Sequence, residues 1–67
     1  MLKLLLNGEV TPSPKNNMLS LLLAQQGYQT QKIAVAINGA FVPRSQYAAT
    51  AVNDGDEIDV IQAVGGG

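Results

Sequence analysis

The sequence predicts an α+β domain, a mixed sheet of four to five strands with one main helix on one face. Three observations predict it. Two Asn-Gly dipeptides, Asn7-Gly8 and Asn38-Gly39, each separate two β-rich runs. That dipeptide suits a two-residue type I′ turn, because both central residues need positive φ. Between the two hairpins lies one stretch with Met18, Leu21 and Leu22 at i, i+3 and i+4, the spacing of a helix face. After the turn-rich Asn53-Asp54-Gly55-Asp56, the chain alternates acidic and apolar residues as a half-buried strand does.

The elements follow in order. Leu2–Leu6 is the first strand, and Glu9-Val10-Thr11 returns from the Asn7-Gly8 turn. Pro12 and Pro14 are expected to end that second strand, since neither can donate a ladder hydrogen bond. Asn17 is the candidate N-cap of a helix over 18–26, and Gly27 fits the left-handed position that closes it. Residues 28–32 read as a polar connection. Ile33–Ile37 fits a central strand, and Ala40–Val42 returns from Asn38-Gly39 until Pro43 stops it. Residues 45–51 hold at most a helical turn, with Val52 buried. Residues 57–63 form the last strand, with Ile58 and Val60 on one side and Glu57, Asp59 and Ile61 on the other. The expected core is Leu4, Leu6, Met18, Leu21, Leu22, Val35, Ile37, Ile58 and Val60. The inward parity of the first strand stays open, because Leu5 is as apolar as its neighbours. A hairpin that leads into a helix crossing one face of such a sheet is the β-grasp arrangement.

Composition excludes several function classes. The chain has 67 residues, enough for one small domain. Ordering it costs on the order of 100 kcal/mol, so most apolar side chains must be buried. At 46% hydrophobic it can do this. It contains no cysteine and no histidine. Disulfides, thiol chemistry, the usual zinc sites and an imidazole base are therefore absent. The net charge is −1, and Lys3, Lys15, Lys32 and Arg44 are spread along the chain, which is no footprint for nucleic acid. No apolar run approaches the length of a membrane span, and the N-terminus shows no signal-peptide pattern. Cytosol is the default expectation.

Four of the five acidic residues fall between Asp54 and Asp59. Their spacing does not match an EF-hand loop, so a turn and a solvated strand edge is the first reading. The second is docking to a basic partner. Arg44 is expected to pair with this acidic strand or with a carboxylate elsewhere. The serines have no base to activate them. The chain finishes in Gly65-Gly66-Gly67, which cannot be a phosphate loop because no helix follows. Glycines have no side chains to bury and the largest backbone freedom. They divide the chain into a domain at 1–64 and a tail at 65–67, expected to be mobile. Extended, the three residues reach roughly 10 Å. They suit a narrow channel in a partner, which would receive the Gly67 carboxylate. A glycine-rich end is also what fraying or an added residue leaves.

Four stretches stand out together: Val35-Ala36-Ile37-Asn38-Gly39, Phe41-Val42-Pro43-Arg44-Ser45-Gln46-Tyr47, Asp54-Gly55-Asp56-Glu57-Ile58 and the terminal Val64-Gly65-Gly66-Gly67. In these, in length and in the N-terminal hairpin, the chain resembles the ThiS family of sulfur carriers in thiamine biosynthesis. The match is weakest between Glu9 and Lys32. The resemblance implies a ubiquitin-like β-grasp carrier rather than an enzyme. It implies a ThiF-like adenylating enzyme, of the ubiquitin-activating type, that uses ATP and Mg²⁺ while the carrier binds no cofactor. It further implies a sulfur donor such as a cysteine desulfurase, and a ThiG-like thiazole synthase as acceptor. By position the adenylated and thiocarboxylated residue is Gly67, with Gly65 and Gly66 as the threaded tail. Leu5, Phe41, Asp56, Glu57, Asp59 and Ile61 are expected to line the docking face, with no metal, nucleic acid or membrane involved. Two alternatives remain at this point: a MoaD-like small subunit of molybdopterin synthase, and a plain β-grasp interaction module. The first is usually somewhat longer and often carries Pro-Pro where this chain has Gln62-Ala63.

Overall fold

A computed structural model describes residues 1–62; the expected end of the last strand at Ala63, the boundary at 64 and the tail 65–67 lie outside them. The strands are β1 (Leu2–Leu6), β2 (Glu9–Ser13), β3 (Ile33–Ile37), β4 (Ala40–Val42) and β5 (Glu57–Gln62). One helix, α1 (Leu19–Gln25), and two 3₁₀ turns, Thr30–Lys32 and Arg44–Ala49, connect them. The sheet order is β2-β1-β5-β3-β4. β5 runs parallel to β1, and the other pairings are antiparallel. Both Asn-Gly turns form as expected, with φ of 51° and 84° at Asn7 and Gly8 and of 52° and 83° at Asn38 and Gly39.

α1 lies against one face of the sheet. Leu4, Leu6, Ile33, Val35, Ile58 and Val60 from the strands meet Leu19, Leu22 and Leu23 from α1, with Tyr47 and Val52 closing the cluster. Leu4 and Leu6 settle the parity of β1. Ile37 is half-buried against this core. Ile33 and Tyr47 were not expected there.

The helix register differs from expectation by one residue. Leu19, Leu22 and Leu23 are buried, while Leu21 is 55% exposed and Met18 is half-buried. Each residue turns a helix by about 100°, so a slip of one moves a side chain well off the core. The cause is long-range. Met18 is extended and bridges Ala51, with the Leu19 N–H donating to the Thr50 carbonyl at 2.8 Å and the Val52 N–H to the Asn17 carbonyl at 3.0 Å. The helix therefore starts later than the Asn17 cap would place it, and Met18 occupies the cap position with no side-chain bond. Asn17 is instead buried, its Nδ2 donating to Ser13 Oγ at 3.0 Å and Gln25 Oε1 at 3.3 Å. The other end closes as expected. Gly27 has φ 84°, and the N–H groups of Gly27 and Tyr28 donate to the carbonyls of Ala24 and Leu23, a Schellman closure.

β2 does not stop at Pro12 but runs to Ser13, with Pro12 opposite Lys3. β2 is an edge strand, and an edge tolerates a proline that has no N–H to give.

Candidate functional site

The face of the sheet away from α1 is built by strand parity. Successive side chains alternate between faces, and directly paired residues share one. The buried residues fix which face is inward. Leu5 stands between Val10 on β2 and Glu57 on β5. Ala36 stands between Phe41 on β4 and Asp59 on β5, and Ile61 lies opposite Ala34. Five of the six expected docking residues, Leu5, Phe41, Glu57, Asp59 and Ile61, therefore share this open face. Phe41 and Ile61 are 69% and 68% exposed, and Leu5 is half-buried. The alanines of β3 keep the middle of the face low. Val10, also well exposed, belongs to the patch and was missed. Register across the Asn7-Gly8 turn, which sets 5 opposite 10, was the signal that could have found it.

Asp56 has a different position. Its Oδ1 accepts from Asn38 Nδ2 at 3.0 Å and its Oδ2 from the Asn53 N–H at 2.8 Å. Both carboxylate oxygens thus hold the turn before β5. Asp54 does similar work, its Oδ1 accepting from the Lys3 N–H at 2.7 Å while Gly55 N–H donates to the Lys3 carbonyl at 2.8 Å. The acidic run therefore divides. Its first two carboxylates tie the turn to β1 and to the β3–β4 hairpin, and Glu57 and Asp59 remain exposed.

The turn asparagines also hold β5. Asn7 Oδ1 accepts from the Val60 N–H at 2.8 Å, just past the end of the β1 ladder, and Asn7 Nδ2 donates to Tyr28 Oη at 3.3 Å. Asn38 Oδ1 accepts from the Glu57 N–H at 3.0 Å, and its own N–H donates to the Glu57 carbonyl at 2.7 Å. The strand that leads to the tail is thereby fixed at its start and along its length.

Arg44 does not pair with a carboxylate as expected. Its Nη2 donates to the Gln31 carbonyl at 3.1 Å, which pins β4 to the turn before β3. Among the described residues there is no group of three His, Cys, Asp or Glu side chains able to hold a metal. No helix there is long and apolar enough to cross a membrane. The described body thus presents a surface, and the expected reactive residues Gly65, Gly66 and Gly67 lie outside it.

Comparison with known proteins agrees with this arrangement. The model of the ThiS family matches residues 4–67. The chain is 33% identical over 66 residues to the sulfur carrier protein ThiS of Escherichia coli K12, covering 98% of this chain and 100% of that protein. It is 39% identical over 66 residues to a thiazole synthase of Paramagnetospirillum magneticum, where 98% of this chain matches 20% of the relative. The chain thus spans about a fifth of the length of that thiazole synthase. The crystal structure of the thiamine biosynthesis protein ThiS from Geobacter metallireducens superposes with a TM-score of 0.82 at 29% identity, covering 98% of this chain and 100% of that one. With the family match running from residue 4 to residue 67 over a five-stranded mixed sheet and one main helix, this chain belongs to the ThiS family and has its ubiquitin-like β-grasp fold.

Proposed function

We propose that this chain is a sulfur carrier for thiazole formation in thiamine biosynthesis, a carrier rather than an enzyme. The observation that carries the reading is the family match extending through Gly67, together with coverage of the whole E. coli sulfur carrier. The chemistry follows from the carboxylate. A carboxylate is a poor electrophile. An oxygen of the Gly67 carboxylate attacks the α-phosphorus of ATP in a ThiF-like adenylating enzyme, with Mg²⁺ on the phosphates, and pyrophosphate leaves. A persulfide, supplied through a donor such as a cysteine desulfurase, then displaces AMP to give an acyl disulfide, and a thiol reductant cleaves its S–S bond. The resulting thiocarboxylate gives its sulfur to a ThiG-like thiazole synthase. A carrier needs no base of its own, which agrees with a sequence lacking His and Cys. Gly65 and Gly66 keep the tail thin enough to thread. The open face, with Phe41, Ile61, Leu5 and Val10 beside Glu57 and Asp59, docks these partners in the cytosol; an exposed apolar patch of this kind marks a protein contact.

Intact-mass measurement tests the proposal. After incubation with ATP, Mg²⁺, a ThiF-like enzyme and a sulfur source, one sulfur should replace one oxygen at the C-terminus. A variant lacking Gly67 should gain nothing. Sulfur uptake by that variant would overturn the assignment of Gly67.

A further inference from the structure

The charges of the described body are sorted along β5. Asp54 and Asp56 lie in the turn before it and Glu57 at its start. Its end carries cations. Gln62, the last described residue of β5, pairs with Ile33, and Lys32 precedes Ile33. β4 pairs with β3 through Val35 and Val42, so the chain leaving β4 passes the start of β3. There Arg44 donates to the carbonyl of Gln31, the neighbour of Lys32. Lys32 thus sits beside the Gln62 end of β5, with Arg44 bonded to the residue before it. Between Lys32 and Gln62 lies a cavity of about 270 Å³, with Gly27, Gln29, Lys32, Ile33 and Gln62 in its described lining. That described lining includes one lysine and two glutamines. The bond to Gln31 uses one donor of the Arg44 guanidinium and leaves that side chain exposed.

We propose that this cavity is a socket for a carboxylate side chain of the adenylating enzyme, at the mouth of the channel that takes the tail. The inference rests on the carrier reading above. Lys32 supplies the counter-charge, the amides of Gln29 and Gln62 supply neutral donors, and Arg44, bonded to Gln31 next in the chain to Lys32, adds positive potential nearby. The location selects a protein that grips the tail, because whatever swallows residues beyond Gln62 must close on this end of the sheet. Charge selects the adenylating enzyme over the sulfur acceptor. In the P. magneticum relative a ThiS-like segment is part of a thiazole synthase chain, so there the acceptor is held at high effective concentration by the chain itself. The activating enzyme is met by diffusion, where charge complementarity raises the encounter rate. A carboxylate seated beside Lys32 would also fix the direction in which the tail enters.

The test compares two full-length variants of equal net charge. Lys32→Glu reverses charge in the socket, and Lys15→Glu reverses it in the exposed loop after β2. ATP–pyrophosphate exchange by a purified ThiF-like enzyme is followed against carrier concentration. Lys32→Glu should raise KM for the carrier by about tenfold or more at low salt with kcat kept, and the difference should shrink as salt rises. Lys15→Glu should stay close to the parent chain, and Arg44→Gln should fall between the two. Far-UV circular dichroism checks folding, which surface changes at 32 and 44 should leave intact. Equal KM values for Lys32→Glu and Lys15→Glu would overturn the socket while leaving the carrier reading standing. Absence of any exchange with the parent chain would overturn both.

Discussion

Leu21 and Leu22 are neighbours in the chain and opposites in environment. Leu22 has no exposed surface and Leu21 is 55% exposed. Truncating a fully buried leucine removes its transfer energy and leaves a cavity, so Leu22→Ala should cost about 2–5 kcal/mol. Leu21→Ala removes surface already in water and should stay within about 0.5 kcal/mol. Urea titration of both variants checks the register; comparable losses would mean the helix is rotated from its described position. The sequence could not make this choice alone. Leu19, Leu21, Leu22 and Leu23 put leucine on nearly every side of a two-turn helix, so more than one register yields an apolar stripe. The deciding contact is the bridge from Met18 to Ala51, between residues far apart in the chain. Tyr47 escaped notice for a related reason. It is buried on a 3₁₀ turn among Gln46, Ala48 and Ala49, where no apolar period marks it.

At the level of elements, β5 depends on residues that the sequence marks only as turn formers. Asn7 was legible as half of a type I′ turn. Its second task, accepting the Val60 N–H where the β1 ladder has ended, depends on β5 lying between β1 and β3, which no local pattern states. The two tasks can be separated. Asn7→Gly keeps the positive φ but removes the acceptor, leaving a part-buried N–H without its partner, and should cost about 1–3 kcal/mol. Asn7→Asp keeps both the acceptor and tolerance of the left-handed region, and should cost less than about 1 kcal/mol. Amide hydrogen exchange gives a local readout. Val60 should exchange faster in Asn7→Gly than in Asn7→Asp, and equal rates would show that the side-chain bond does not protect it. The hairpins and the alternation of β5 were readable because turn chemistry and period two are local. The continuation of β2 through Pro12 was not, since only the sheet order makes β2 an edge.

At the scale of the whole molecule, the proposed carrier role puts recognition and chemistry in different places, and kinetics should separate them. Among the described residues the core cluster runs from Leu4 to Val60. The open face was largely legible, because strand parity alone puts Phe41 and Ile61 away from the core. Both are exposed, so Phe41→Ser combined with Ile61→Ser should change the unfolding midpoint little. The pair should nevertheless weaken docking, raising KM for the carrier in ATP–pyrophosphate exchange while kcat at saturating carrier is kept, the pattern of lost uniform binding. Gly66→Val should do the reverse. It leaves the docking face intact but adds width and removes backbone freedom next to the reacting carboxylate, so kcat should fall. One residue added after Gly67 should act like Gly66→Val, because it displaces the acyl carbon by about 3.5 Å, beyond what in-line attack tolerates. If the Phe41 and Ile61 pair lowered kcat and left KM alone, the open face would be helping to place the tail rather than to bind the partner. The division between a binding body and a reactive end would then fail.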